Sequence, residues 1–245
     1  SGGTLALSAI PDRATGPGVF AAPGVIGLTC GGALAATGRF VPEVFLALLI
    51  VIGLGVTVLS RSISSVRSQP KTPGFEDHEV IVVALLAAIA IRSALWSAFE
   101  AMLRGDLAWM LAAAIAAGTG KIGGGVLADR LGWRRWTIGS LAIAAPVLLI
   151  GPNSGGVFLI GLALLQSATP VTLAAVAQRL PDRPGLAAGL SLGLAIVVGG
   201  LFVLSGFGPT ILASPITLSL MAISGGLMAW ALPRRRTQPK GCPSP

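Results

Sequence analysis

Charge is what this sequence has least of. Of its 245 residues 11% are charged and 53% hydrophobic, and the mean hydropathy is +0.85. A soluble domain carries about 25% charged residues, so a soluble globular fold is excluded and an integral membrane protein remains. Cysteine is nearly missing: Cys30 lies in an apolar run and Cys242 in the C-terminal tail, which leaves no disulfide framework and no cysteine metal site. The one histidine, His78, sits beside Glu76, Asp77 and Glu79 in a polar stretch and reads as a solvated loop residue. No Ser/His/Asp arrangement, CxxC pair or phosphate loop occurs, so neither an enzyme, a cofactor nor a metal is expected. Residues 1–16 lack the basic start and long apolar core of a signal peptide.

Long apolar runs and glycine are what the chain has in plenty. Eight runs of about 17–23 residues can be marked, the length that crosses roughly 30 Å of hydrocarbon as a helix. They cover about 17–37, 41–60, 80–99, 107–128, 136–151, 157–179, 185–206 and 211–232. The runs are continuous rather than alternating, which rules against barrel strands. The expected fold is all-α, a polytopic membrane protein of about eight transmembrane helices. The 34 glycines suit close helix packing in lipid. The net charge of +8 is scattered through short gaps between the runs, with no contiguous basic face bearing aromatics, so no nucleic-acid partner is expected and the lipid bilayer is.

The basic residues are sorted by end. One set of helix ends holds Arg13, Arg61, Arg67, Lys71, Arg130, Arg134, Arg135, Arg179, Arg183, Arg234, Arg235, Arg236 and Lys240, and the other only Arg39 and Arg104. The positive-inside rule makes the first set cytoplasmic. Both termini are then cytoplasmic, in what reads as a bacterial cytoplasmic membrane.

Residues 118–136, GTGKIGGGVLADRLGWRRW, organise the rest. A glycine-rich apolar run ends in a short turn with four charges, and another apolar run follows at once. Such charges cannot lie in hydrocarbon, so the turn is at a water interface with both helices ending on one side. The pattern Gly125-x-x-x-Asp129-Arg130-x-Gly132-x-Arg134-Arg135 resembles the signature loop of the major facilitator superfamily of secondary transporters. Trp133 stands where that family usually has a basic residue. In the family the loop follows the second helix of each six-helix half, and the halves are joined by a long cytoplasmic linker.

That resemblance implies an organisation. Residues 1–60 would be the last two helices of an N-terminal bundle, 61–79 the cytoplasmic linker, 80–233 a six-helix C-terminal bundle and 234–245 a cytoplasmic tail. The eight runs then correspond to helices five to twelve of an incomplete superfamily fold, and the loop-like start favours an incomplete chain. The resemblance implies a secondary transporter of a small molecule or drug, working by alternating access. Two local stretches, Ile91-Arg92-Ser93 and 169–190, are weakly similar to the fosmidomycin-resistance type of exporter. The alternative is a truncated, non-transporting bundle with a structural or partner-binding role, completed by the missing N-terminal helices or by a second copy.

Arg92 is the chief candidate for chemistry. A central arginine costs about 2.5–3.5 kcal/mol on insertion scales and normally faces a bundle interior or aqueous cavity. It is either an anchor for an anionic substrate group or one half of an interhelical ion pair or backbone bond. Trp96 and Glu100 follow at four and eight residues and share its helix face. Trp96 is either a cavity wall or a packing aromatic; Glu100, near the external end, is an interface charge or a coupling group. Lys121 either lines the same pathway or snorkels to the interface. Gln166 and Thr169 share one side of the sixth run and either face the pathway or bond between helices. Gly125, Asp129, Arg130, Gly132, Arg134 and Arg135 would form a conformational latch, in which the aspartate meets a helix N-terminus. No run has a carboxylate near its middle, so a proton-coupling group would have to be Glu100 or lie elsewhere.

Overall fold

The structure, a computed structural model, describes residues 13–36, 41–61, 76–103, 106–150, 155–180, 183–212 and 214–233. These residues are helical almost throughout, with no strand among them. The helices are α1 (Thr15–Ala36), α2 (Pro42–Arg61), α3 (Glu76–Met102), α4 (Leu107–Leu131), α5 (Trp133–Ile150), α6 (Gly155–Ser167), α7 (Thr169–Arg179), α8 (Pro184–Ala188), α9 (Ala195–Phe202), α10 (Gly208–Leu212) and α11 (Ser214–Ala231). Grouped into continuous rods they make eight, as the apolar runs require. Five rods are long and apolar enough to cross a membrane: Glu79–Met102, Leu107–Leu131, Gly155–Arg179, Gly185–Leu212 and Ser214–Ala231. The chain is a polytopic all-α membrane protein.

Several boundaries differ from those expected, each for a local reason. The rod α3 begins at Glu76, inside the stretch read as linker, because acidic residues suit the positive end of a helix. His78 therefore lies in a helical turn, not a loop. The rest of that linker, like the tail, lies outside the described residues. Asp106 caps α4 by accepting from the Trp109 amide at 3.1 Å. The turn 129–135 is not a loop at all. Helix α4 runs through Asp129 to Leu131, Gly132 alone breaks it with φ 96°, and α5 starts at Trp133. That φ suits only glycine, which is why one residue suffices to reverse the chain. The sixth rod pauses at Ala168, just before Pro170, which lacks the amide to continue a ladder. The seventh stays helical to Leu212 through wide π-type turns at Gly189–Leu194 and Val203–Phe207, with a kink at Gly206 (φ 86°). Its end is thus later than the 206 expected from hydropathy.

Small residues set how closely the rods approach. Gly120 lies against the backbone of Ala163, and Gly124 against Ser167, so α4 and α6 run parallel in close contact. On another face of α4, a Cβ at Gly125 would stand 2.7 Å from the Ala14 carbonyl oxygen, Gly18 faces the Lys121 carbonyl, and Gly118 faces Ile26. The numbers rise along α1 as they fall along α4, so these two are antiparallel. Pro23 lies inside α1. Side chains described on α2 point away from the bundle, Val44, Leu46 and Val51 among them.

The interior holds two apolar clusters. One gathers Leu95, Phe99, Leu141, Leu148, Leu162, Leu165 and Met221; the other Leu85, Ala128, Val171, Val176, Met228 and Leu232. On α3, α4 and α11 buried polar residues, Arg92 and Ser93, Lys121 and Ser224, fall between the two.

Candidate functional site

That polar layer is the candidate site. On α3, Arg92 falls between Ala88 of one cluster and Ala94 of the other; on α4, Lys121 between Ala117 and Ala128; on α11, Ser224 between Met221 and Met228. The sixth rod contributes Gln166, Thr169 and Thr172, all buried around its pause. Arg92, Thr172 and Ser224 meet across three rods, whereas the backbone of Lys121 lies at the α1–α4 seam.

Arg92 is buried, with 3% of its surface exposed. Its Nη1 donates to Ser224 Oγ at 3.3 Å and its Nη2 to Thr172 Oγ1 at 2.6 Å. Each hydroxyl spends its proton elsewhere: Thr172 donates to the Ala168 carbonyl at 2.9 Å, and Ser224 to the Ala88 carbonyl at 3.3 Å. Both therefore offer only lone pairs to the guanidinium. Nε finds no partner. Of the two structural readings of Arg92, neither is seen: it makes no ion pair with a described residue and no bond to a backbone carbonyl. It is held instead by neutral oxygens from α7 and α11.

Lys121 is also buried and shows no hydrogen bond or ion pair within the described residues. Its backbone carbonyl packs against Gly18, at the α1–α4 seam. Thr169 donates to Gln166 Oε1 at 3.2 Å, a bond within one rod, not between helices. Trp96 is packed into the cluster of Leu95 and Phe99, the last of which meets Phe158 edge-on with centroids 5.5 Å apart. Glu100 is half-buried near the other end of α3 and is engaged. Every carboxylate among the described residues lies in a first or last helical turn or caps one. The layer thus holds two buried cations and no anion, an arrangement that attracts a negative ligand group.

The turn forms a second constellation. Asp129 Oδ1 accepts from the Ala14 amide at 2.8 Å and from the Trp133 indole nitrogen at 2.9 Å. Oδ2 accepts from the Thr15 amide at 3.0 Å and the Thr15 hydroxyl at 2.6 Å. The carboxylate therefore caps the N-terminus of α1 from another helix. The four-residue spacing Gly125–Asp129 explains it. Both lie on one helix face, so the glycine admits the backbone of Ala14 and Thr15 within reach of the acid one turn on. Arg134 Nε donates to the Ala229 carbonyl at 2.9 Å and ties α5 to the end of α11. Arg13, Arg130 and Arg135 are exposed nearby. Thus Arg13, Arg130, Arg134 and Arg135 of the charge-sorted set meet at one end of the bundle, while Arg67, Lys71, Arg234, Arg235, Arg236 and Lys240 lie outside the described residues.

Three functional contacts were not legible in the sequence. Thr172 is a polar residue of the sixth run, with nothing in the sequence to mark it as an Arg92 partner. Ser224 gave no signal beyond being polar in mid-run. Trp133, which stands where the family usually has a basic residue, opens α5 and donates to Asp129 at the end of α4 across the Gly132 break, a contact its residue type alone did not reveal.

No family model and no solved structure matches the chain. Over 120 residues it is 35% identical to YfnC, an uncharacterized MFS-type transporter of Bacillus subtilis (strain 168), MFS denoting the major facilitator superfamily. The match takes in 45% of this chain and 29% of that protein, so the chain spans less than a third of the relative's length. The superfamily resemblance carried by the 125–135 turn is borne out by this similarity. Nothing in it bears on the fosmidomycin-resistance type.

Proposed function

We propose that this chain forms helices five to twelve of a secondary transporter of the major facilitator superfamily, rather than an enzyme. Its substrate is a small anionic molecule or drug, moved by alternating access. The observation that carries this reading is the polar layer, in which Arg92 and Lys121 lie buried between two apolar clusters with no carboxylate among the described residues to balance them. A buried charge left uncompensated is costly, and an entering anion removes that cost while binding. Arg92 is the anchor, with Thr172 and Ser224 fixing its fork. Lys121, Gln166, Thr169 and Trp96 line the pathway beside it. Asp129 and its turn latch one of the two states, and Glu100 is the coupling candidate. The basic ends, including both termini, face the cytoplasm of a bacterial cell and the direction is efflux. The outward apolar face of α2 packs against further helices of the same transporter or of a second copy.

The test is transport of a panel of radiolabelled small anions in cells expressing the reading frame that contains this chain. Arg92→Ala abolishes transport while the amount of protein in the membrane is unchanged, and Arg92→Lys retains part of it. Full transport by Arg92→Ala at equal membrane level refutes the role.

A further inference from the structure

The end of the bundle that carries the turn holds a cleft of about 790 Å³, apart from the polar layer and walled by the arginines of the turn itself. That volume is within the range, about 300–1,000 Å³, that holds a drug-sized molecule. Its walls bring together Arg13 from before α1, Arg130 from the end of α4, and Arg134 and Arg135 from the start of α5. The one acid on its wall, Asp129, is already committed to four donors. Arg13, Arg130 and Arg135 make no hydrogen bond or ion pair within the described residues, and Arg134 uses only Nε. The cleft is therefore strongly and openly positive. The same walls carry apolar groups, among them Leu131, half exposed, and Ile138. Trp133, Trp136 and Trp230 stand at this end too, the level at which tryptophan marks the headgroup region of a bilayer.

We propose that this cleft binds the headgroup phosphate of an anionic phospholipid, with the acyl chains lying along Leu131 and Ile138. Several arginines call for a phosphate, because their planar forks match its oxygens. The apolar wall beside them calls for a lipid rather than a soluble phosphate. Bound there, one phosphate joins Arg13 on the α1 side to Arg130 on the α4 side, next to the Asp129 contact, and so strengthens the α1–α4 seam. The proposal requires a membrane protein but not a transporter, so it stands or falls apart from the reading above.

The test is thermal unfolding of the full chain, extracted in a zwitterionic detergent, with increasing dihexanoyl phosphatidylglycerol. The melting temperature rises to a plateau. Dihexanoyl phosphatidylcholine and glycerol 3-phosphate leave it unmoved, and 0.5 M salt weakens the lipid's effect. In Arg130→Gln/Arg135→Gln the half-saturating concentration rises about 30-fold, since one near-surface arginine contributes roughly fivefold. Arg130→Lys/Arg135→Lys stays within a few-fold of the unaltered chain. Equal shifts from both lipids, or an unchanged midpoint in the double glutamine variant, overturn the proposal. A full shift from glycerol 3-phosphate overturns it in favour of a soluble ligand. Should the glutamine variant fail to fold, the headgroup and salt comparisons on the unaltered chain decide alone.

Discussion

Replacing Asp129 by asparagine removes one charge and turns one acceptor oxygen into a donor. The carboxylate receives four hydrogens, from Ala14 N, Thr15 N, Thr15 Oγ1 and Trp133 Nε1. The Thr15 hydroxyl can rotate and accept from the new amide, but at least one backbone N–H at the start of α1 then faces another donor. An unsatisfied donor costs about 1–3 kcal/mol. The remaining bonds lose their ionic strength, and the favourable charge at the helix N-terminus, about 0.3–1 kcal/mol, goes too. Because the site is partly open to solvent the lower halves of these ranges apply, and Asp129→Asn should lose about 1.5–2.5 kcal/mol. Thr15→Val keeps the amide and removes the 2.6 Å hydroxyl contact, at about 1–1.5 kcal/mol. Equilibrium unfolding in mixed micelles with rising dodecyl sulfate measures all four corners of the cycle. The double variant should lose about 0.5–1 kcal/mol less than the sum of the singles, since the second change then removes only a neutral bond in place of a charge-assisted one. Additivity within about 0.3 kcal/mol would mean that Asp129 and Thr15 do not act on one another, and the cap would be discarded.

Two further outcomes follow from the same contacts. Thr172→Val takes the shorter of the two bonds from Arg92 and strands a buried charged donor, so it should lose about 1.5–3 kcal/mol in the same assay; Ser224→Ala, at 3.3 Å, should lose less. Gly132→Ala forces a side chain into φ 96°, ψ 131°, at about 1–3 kcal/mol, and the loss should be clear in the melting temperature of the full chain.

The rods were readable from hydropathy because a helix in lipid must be apolar for its whole length. Their ends were less so. A charge suggests water, yet Asp129 to Leu131 remain helical, since one positive-φ glycine reverses the chain and the charges need only reach the interface, not leave the helix. Gly206 looked like an end and is a bend, because glycine takes φ 86° there and the helix resumes at Gly208. At the polar layer the sequence reveals which residues are out of place in lipid, Arg92 and Lys121 above all. It does not reveal which hydroxyls meet them. Thr172 and Ser224 lie 80 and 132 residues away from Arg92, and whether they face it depends on the rotation of each rod about its axis. Neither depth nor composition fixes that rotation. Trp133 failed for a different reason: judged by charge it breaks the basic pattern, whereas its indole supplies a hydrogen-bond donor at the place where a cation would supply one.

The cap on α1 also sets a mechanical tolerance. Thr15 lies eight residues before Pro23, the point where the ladder of α1 lacks an amide and a helix bends most readily. At 1.5 Å per residue that is an arm of about 12 Å. A hydrogen bond near 3.0 Å is lost when stretched by about half an ångström, which on this arm is a swing of only about 2°. A swing of about 10° carries the end some 2 Å, far beyond any of the three bonds from Ala14 and Thr15. The first two turns of α1 are therefore a lever with a narrow detent: seated, its angle is fixed to within a couple of degrees, and once displaced it is free of its three contacts with Asp129 together.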